Sequence, residues 1–262
     1  MRLFIFNFYV VPSDSMEPEI LPGDFILANK MTYGARILTS LKFDRNSDPP
    51  LMRVPKFRRI HRNDVVVFNS PYRYEWDTIR MNLEEIFVKR CIGLPGDSIS
   101  IIDGYYHIAS IPDTLGYILE QNRMMRYHAT LDSIILHTFP FDIAFQWDAI
   151  NFGPFYIPAA GTTISLTLDN FKLYRKQIVY ETGAEIRCED SQVYINDTLR
   201  HDYTFRNNWY FMAGDKVMNS QDSRYMGVIP EDYIIGKASM VISSKDNYTS
   251  KRRWARTMKR IK

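Results

Sequence analysis

Two hydroxyls stand two residues apart, Ser13 and Ser15, in the segment Pro12-Ser13-Asp14-Ser15-Met16-Glu17-Pro18, whose prolines keep it out of regular helix. A serine hydroxyl becomes a useful nucleophile only when a neighbouring base takes its proton. The usual base is a histidine with an acidic partner. Here His61, His107, His128, His137 and His201 fall in polar or strand-like stretches, with no G-x-S-x-G elbow and no H-E-x-x-H pair. The alternative base is an uncharged amine. Lys89 lies inside Ile86-Phe87-Val88-Lys89-Arg90-Cys91-Ile92, a run that otherwise reads as buried strand. On a strand, Phe87, Lys89 and Cys91 share one face, so the lysine has apolar neighbours in line. Full burial lowers an amine's pKa by up to ~3 to 5 units, which leaves a neutral fraction near neutral pH. Each residue also has a plainer reading. Ser15 would then be a turn serine bonding its own backbone, and Lys89 an edge-strand lysine whose head reaches water.

The elements that must hold these groups are mostly strands. Aromatic residues make up 14% of the 262 and recur with Thr, Ile and Val in short alternating runs, which favours sheet over helix. Strands are expected at residues 25–29, 64–68, 86–92, 192–199 and 209–213, with a single helical turn at 230–233. Residues 39–62, rich in Pro, Arg, Asp and Asn, read as a surface excursion. Residues 105–189 carry many aromatic and β-branched residues and few motifs, and read as a β-rich inserted cap. The expected organisation is an apolar stub over 1–11, a catalytic β domain from 12–104 and 190–244, the insertion, and a basic tail over 245–262.

The apolar fraction, 45%, is enough for a substantial core in one large or two modest domains. The net charge of +3 is uneven, because residues 245–262 hold eight Lys or Arg against one Asp. That tail reads either as an interfacial helix on anionic lipid or as a solvated end. Cys91 and Cys188 stand far apart without a C-x-x-C pair, so neither a zinc site nor a disulfide framework is indicated. Residues 3–11 are too few to span a bilayer, which takes about 20 apolar residues.

Five segments in order carry a specific resemblance: P-S-D-S-M-E-P at 12–18, G-D-F-I-L-A-N-K at 23–30, N-D-V-V-V-F at 63–68, F-V-K-R-C-I-G-L-P-G-D at 87–97 and G-D-K-V-M-N-S-Q-D-S-R-Y-M-G at 214–227. Together they resemble the successive boxes of bacterial type I signal peptidases. Gly153-Pro154-Phe155-Tyr156-Ile157-Pro158 resembles a segment of the members with longer insertions. The resemblance implies a mainly β fold, a coiled antiparallel sheet with an inserted cap. It also implies an endopeptidase that removes N-terminal signal peptides from secreted precursors after small-x-small sites, without metal or cofactor.

Carried over residue by residue, Ser15 matches the nucleophile and Lys89 the general base. Ser13 matches the hydroxyl that joins the Ser15 N–H in the oxyanion hole, and Ser220 the serine that orients the amine. Asp222 and Arg224 match a charged pair bracing the site. Val11, Met16, Ile20, Phe87 and Val88 match the substrate pockets, each with ordinary core packing as its alternative. The implied partners are secreted preproteins and a membrane surface, with the catalytic domain on the extracytoplasmic side and no nucleic acid. Oligomeric state is left open.

The chain departs from the pattern in two places. The family usually carries one or two membrane helices before the serine, where this sequence has only the apolar stub, as expected either of a truncated chain or of a member held to the membrane by other means. The usual G-D-N-R-D-N-S reads Gly214-Asp215-Lys216-Val217-Met218-Asn219-Ser220, so weaker bracing of Asp222 and Arg224 is expected. These departures keep open a second reading, a catalytically weak or silent paralogue acting as a binding or scaffold module. A self-cleaving Ser-Lys repressor would need a helix-turn-helix and an internal cut site, and neither is visible.

Overall fold

Val65, Val66, Val67 and Phe68 are all buried, and they alternate between two cores. Val65 and Val67 pack with Val11, Met16, Ile20 and Val241, whereas Val66 and Phe68 pack with Ile92, Phe211 and Tyr233. Side chains two residues apart share a face of a strand, so this run can only lie in the middle of a sheet covered on both sides. The computed structural model describes residues 5–40, 47–109, 111–127, 129 and 137–262. Part of the expected apolar stub, part of the surface excursion and His128 lie outside the described residues.

The sheet has eight strands: β1 (Phe6–Val10), β2 (Asp24–Asn29), β3 (Val65–Ser70), β4 (Asn82–Gly93), β5 (Trp209–Ala213), β6 (Ile229–Pro230), β7 (Ile234–Ser244) and β8 (Lys259–Arg260). Their order is β1-β2-β7-β3-β4-β5-β6, with β8 beside β7. Every pairing is antiparallel. The expected mainly β architecture is the one the chain adopts. Register shifts in β7 between Ala238 and Met240, Val241 and Ser243, and Ile234 and Gly236 bend and coil the sheet. Two of the strand edges without a partner among the described residues border the same cleft. One is the outer edge of β1, and the other is the 84–88 part of β4, because β5 pairs only with residues 90–93 of that strand.

The insertion departs from the β-rich expectation, since it holds both long helices, α1 (Ile118–Tyr127) and α2 (Leu168–Thr182). In α2 the Thr167 hydroxyl caps the first turn by accepting from the Asn170 N–H, and Gly183 ends the helix at a φ of 65°. Leu173, Tyr174, Gln177 and Ile178 form its buried stripe. The hairpin at 98–102 and 105–108 and the hairpin at 186–189 and 192–195 both straddle the expected insertion boundaries. The second turns on Asn196 and Asp197, both at positive φ, into strand 198–200.

The basic tail is neither an amphipathic helix nor a frayed end. Arg253 pairs with Asp246, Arg256 with Asp24 and Lys259 with Glu19. β8 joins the sheet, and Ile261 is buried in the same cluster as Met16 and Ile20.

Candidate active site

The chain between β1 and β2 is a tight loop, tied by Val11 N–H to Asp24 O, Glu17 N–H to Asp14 O and Ile20 N–H to Met16 O. Burial of Val11, Met16 and Ile20 anchors it and fixes the direction of the residues between them. Ser15 is 9% exposed, at the wall of a cleft of about 300 Å³. That cleft lies between the two unpartnered strand edges, with Tyr9, Val10 and Val11 on one side and Glu85, Ile86, Phe87 and Val88 on the other.

Lys89 projects from β4 to meet the loop. Its Nζ lies 2.7 Å from Ser15 Oγ, and the side chain is 3% exposed. Burial pushes the amine from its ordinary 10.5 down to about 8, against an opposing pull from the Asp222 carboxylate. The arrangement is therefore a hydroxyl beside an amine that gives up its proton near neutral pH. Ser13 Oγ stands 3.4 Å from Ser15 Oγ, and the Ser15 N–H has no acceptor among the described residues.

Behind the pair, Asp222 and Arg224 are fully buried and joined by two hydrogen bonds, 2.9 Å from Nε and 2.8 Å from Nη2. Burial alone would raise the Asp222 carboxyl. The Arg224 guanidinium and the Gly214 N–H more than offset that and hold it below the usual range. Arg224 also donates to Val217 O, so the pair grips the 214–220 segment at two points. Asp222 and Arg224 are thus tied to each other and to the 214–220 segment, while Arg224 Nη1 is buried without a hydrogen-bond partner among the described residues. Gly214 is required here because a Cβ would meet Ser220 Oγ at 2.1 Å and Ser15 O at 2.6 Å.

Four of the five expected pocket residues, Val11, Met16, Phe87 and Val88, line the cleft. Ile20 does not. It is fully buried beneath the loop, in the core cluster that holds Val65, Val67 and Val241. Ser220 is also placed differently from expectation, since its Oγ is buried and has no partner among the described residues, Lys89 included.

Other contacts were not singled out by sequence reasoning. Lys216 bonds Asp14 and lies 2.9 Å from Glu17, its N–H donates to Ser15 O at 3.1 Å, and Asn219 donates to Asp14 at 2.9 Å. Beside Lys89, Arg90 holds Asp215 through bonds of 2.6 and 2.7 Å and donates to Lys262 O. No periodicity pairs residues so far apart. The only available signal was that Asp14, Asp215 and Lys216 sit inside the matched boxes. Among the described residues, no group of three or more His, Cys, Asp or Glu side chains is placed to hold a metal ion. No helix among them is long and apolar enough to cross a membrane.

A family model described as signal peptidase, peptidase S26 matches residues 1–133 and 198–243. Signal peptidase I of Buchnera aphidicola subsp. Baizongia pistaciae is 28% identical over 244 residues, 92% of this chain and 71% of that protein. Signal peptidase I of Aquifex aeolicus is 27% identical over 247 residues, 93% of this chain and 78% of that one. A crystal structure of a signal peptidase I from Enterococcus faecalis V583 aligns at 18% identity and a TM-score of 0.34, covering 70% of this chain and 98% of that one, a likeness too low to bear on the fold.

Proposed function

The chain belongs to the signal peptidase family, peptidase S26, and from that premise we propose that it removes N-terminal signal peptides from secreted precursors with Ser15 as nucleophile and Lys89 as general base. The observation that carries this reading is the 2.7 Å separation of Lys89 Nζ and Ser15 Oγ in a nearly dry site. Attack of Ser15 Oγ on the scissile carbonyl passes the hydroxyl proton to Lys89. The ammonium returns it to the leaving amine, and the acyl-enzyme remains. A water then gives its proton to Lys89 and attacks the ester, and the ammonium returns that proton to Ser15 Oγ as the C–O bond breaks, restoring the hydroxyl and the neutral amine. Charge on the carbonyl oxygen is met by the Ser13 hydroxyl and the Ser15 N–H.

The unpartnered edges of β1 and β4 suit an extended peptide, whose backbone would bond to the strands while the shallow walls of Val11, Met16, Phe87 and Val88 admit only small side chains. The precursor's origin in secretion puts the working enzyme at a membrane surface, with this domain on the extracytoplasmic side. The test is cleavage of an Ala-x-Ala precursor peptide by the wild type and by Ser15→Ala and Lys89→Ala. Loss of turnover in both, with unchanged circular dichroism, is the expected result. Retained turnover in either variant rejects the dyad.

A further inference from the structure

A second cavity, about 550 Å³, is walled by Trp76, His137, Phe141, Met218, Ser220 and Tyr225, with Asn219 and Gln221 beside them. It shares no lining residue with the Ser15 cleft. The two meet where Asn219 bonds Asp14, and where Ser220 packs against Gly214 on the side of the Ser15 carbonyl. Trp76 and Phe141 are 47% and 46% exposed, two large apolar side chains left uncovered around one hollow.

A peptide whose acyl portion fills the cleft between β1 and β4 has its scissile carbonyl at Ser15. On the side of Ser15 where Asn219 bonds Asp14 and Ser220 packs beside Gly214, the amine portion has a route out of the cleft. Beyond those residues lies the second cavity. An extended chain advances ~3.3 Å per residue, so the first few residues after the cut pass over it. We propose that this cavity is a leaving-side subsite that selects an apolar or aromatic side chain shortly after the scissile bond. The occupant is the precursor itself, so the inference rests on the peptidase reading.

The test uses peptides identical up to the cut and carrying either Phe or Ser at one of the second to fourth residues after it. At one of those positions the Phe peptide is expected to show a roughly tenfold higher kcat/KM, within the range an apolar pocket discriminates. Phe141→Ser and Met218→Gln should bring the two peptides close to parity while leaving turnover of the Ser peptide unchanged. Equal turnover at every position, or a preference that survives both substitutions, overturns the inference while the peptidase reading stands. No cleavage of any peptide by the wild type overturns the peptidase reading and this inference with it.

Discussion

Lys216 bonds Asp14, the residue immediately before Ser15, across 202 positions of sequence. The same ammonium reaches Glu17, so the two acids flanking the proposed nucleophile share one cation. Partial burial would raise the Asp14 carboxyl, but Lys216 and Asn219 outweigh it and hold that group below its ordinary value.

Lys216→Met should therefore loosen the loop without dismantling the fold. The ion pairs are partly exposed, with a stability contribution of about 1 kcal/mol or less. The expected result is a fall in kcat of roughly three- to tenfold, since a misplaced nucleophile is costly, with a nearly unchanged Tm. Peptide kinetics together with thermal melting separate the two effects, and an unchanged kcat would remove Lys216 from the positioning role.

The rate should follow the neutral fraction of Lys89. With its pKa down at about 8, kcat/KM is expected to rise about tenfold per pH unit below pH 7 and to level off above roughly pH 9. Lys89→Arg, which cannot deprotonate in this range, should be inactive throughout. A profile that falls with rising pH over the same interval would contradict a lysine base.

The same shift has a signature in stability. An unfolded lysine titrates near 10.5 and the folded one near 8, so between those values the unfolded state binds the extra proton. Stability contributed by this group thus rises as pH climbs from 8 to 10.5, by roughly 3 kcal/mol in total, and its penalty is fully present below pH 8. Lys89→Met should abolish that slope and be the more stable protein at pH 7. Urea unfolding of both proteins across the interval measures it.

Asp222→Asn would leave the Arg224 guanidinium buried without its counter-charge. Breaking one partner of such a pair typically costs ~3 to 5 kcal/mol. The Asp222 carboxylate also favours the protonated Lys89, so its loss should move the rising limb of the pH–rate profile to lower pH in whatever fraction still folds. Chemical denaturation reads the first effect and kinetics the second.

Arg256→Met tests the tail. Asp24 is fully buried, and Arg256 is its ion-pair partner while also donating to Glu19 O at 2.8 Å. An uncompensated carboxylate under the nucleophile loop should lower stability by about 2 to 4 kcal/mol at pH 7. A solvated tail would give no change in denaturation midpoint.

Residue type and order were enough to pick out the strand runs at 64–68 and 86–92 and the turn at Asn196-Asp197, because each depends on local chemistry or a period of two, whereas Ser15 and Lys89 stood out from their plainer readings only through the ordered segments that resemble the family. The helix α2 was hidden for a local reason as well. Phe171, Tyr174, Ile178, Val179 and Tyr180 are strand formers by preference, and only the buried stripe of Leu173, Tyr174, Gln177 and Ile178 between Thr167 and Gly183 marks the helix. Ile20 was misassigned because an apolar residue in the chain reads alike whether it walls a pocket or fills the core beneath it.

By itself the sequence determined which groups are chemically able to act, and in what kind of sheet they would be held. Tertiary structure decided which of them meet. Lys89 comes within 2.7 Å of Ser15 because the β1–β2 loop is packed down over β4, and Arg256 is tied to Asp24 because the tail returns beside β7. A proton moves or a charge is neutralised only across a few ångströms. Distances of that kind between residues 74 or 232 apart in the chain are set by how the sheet coils, which no local pattern records.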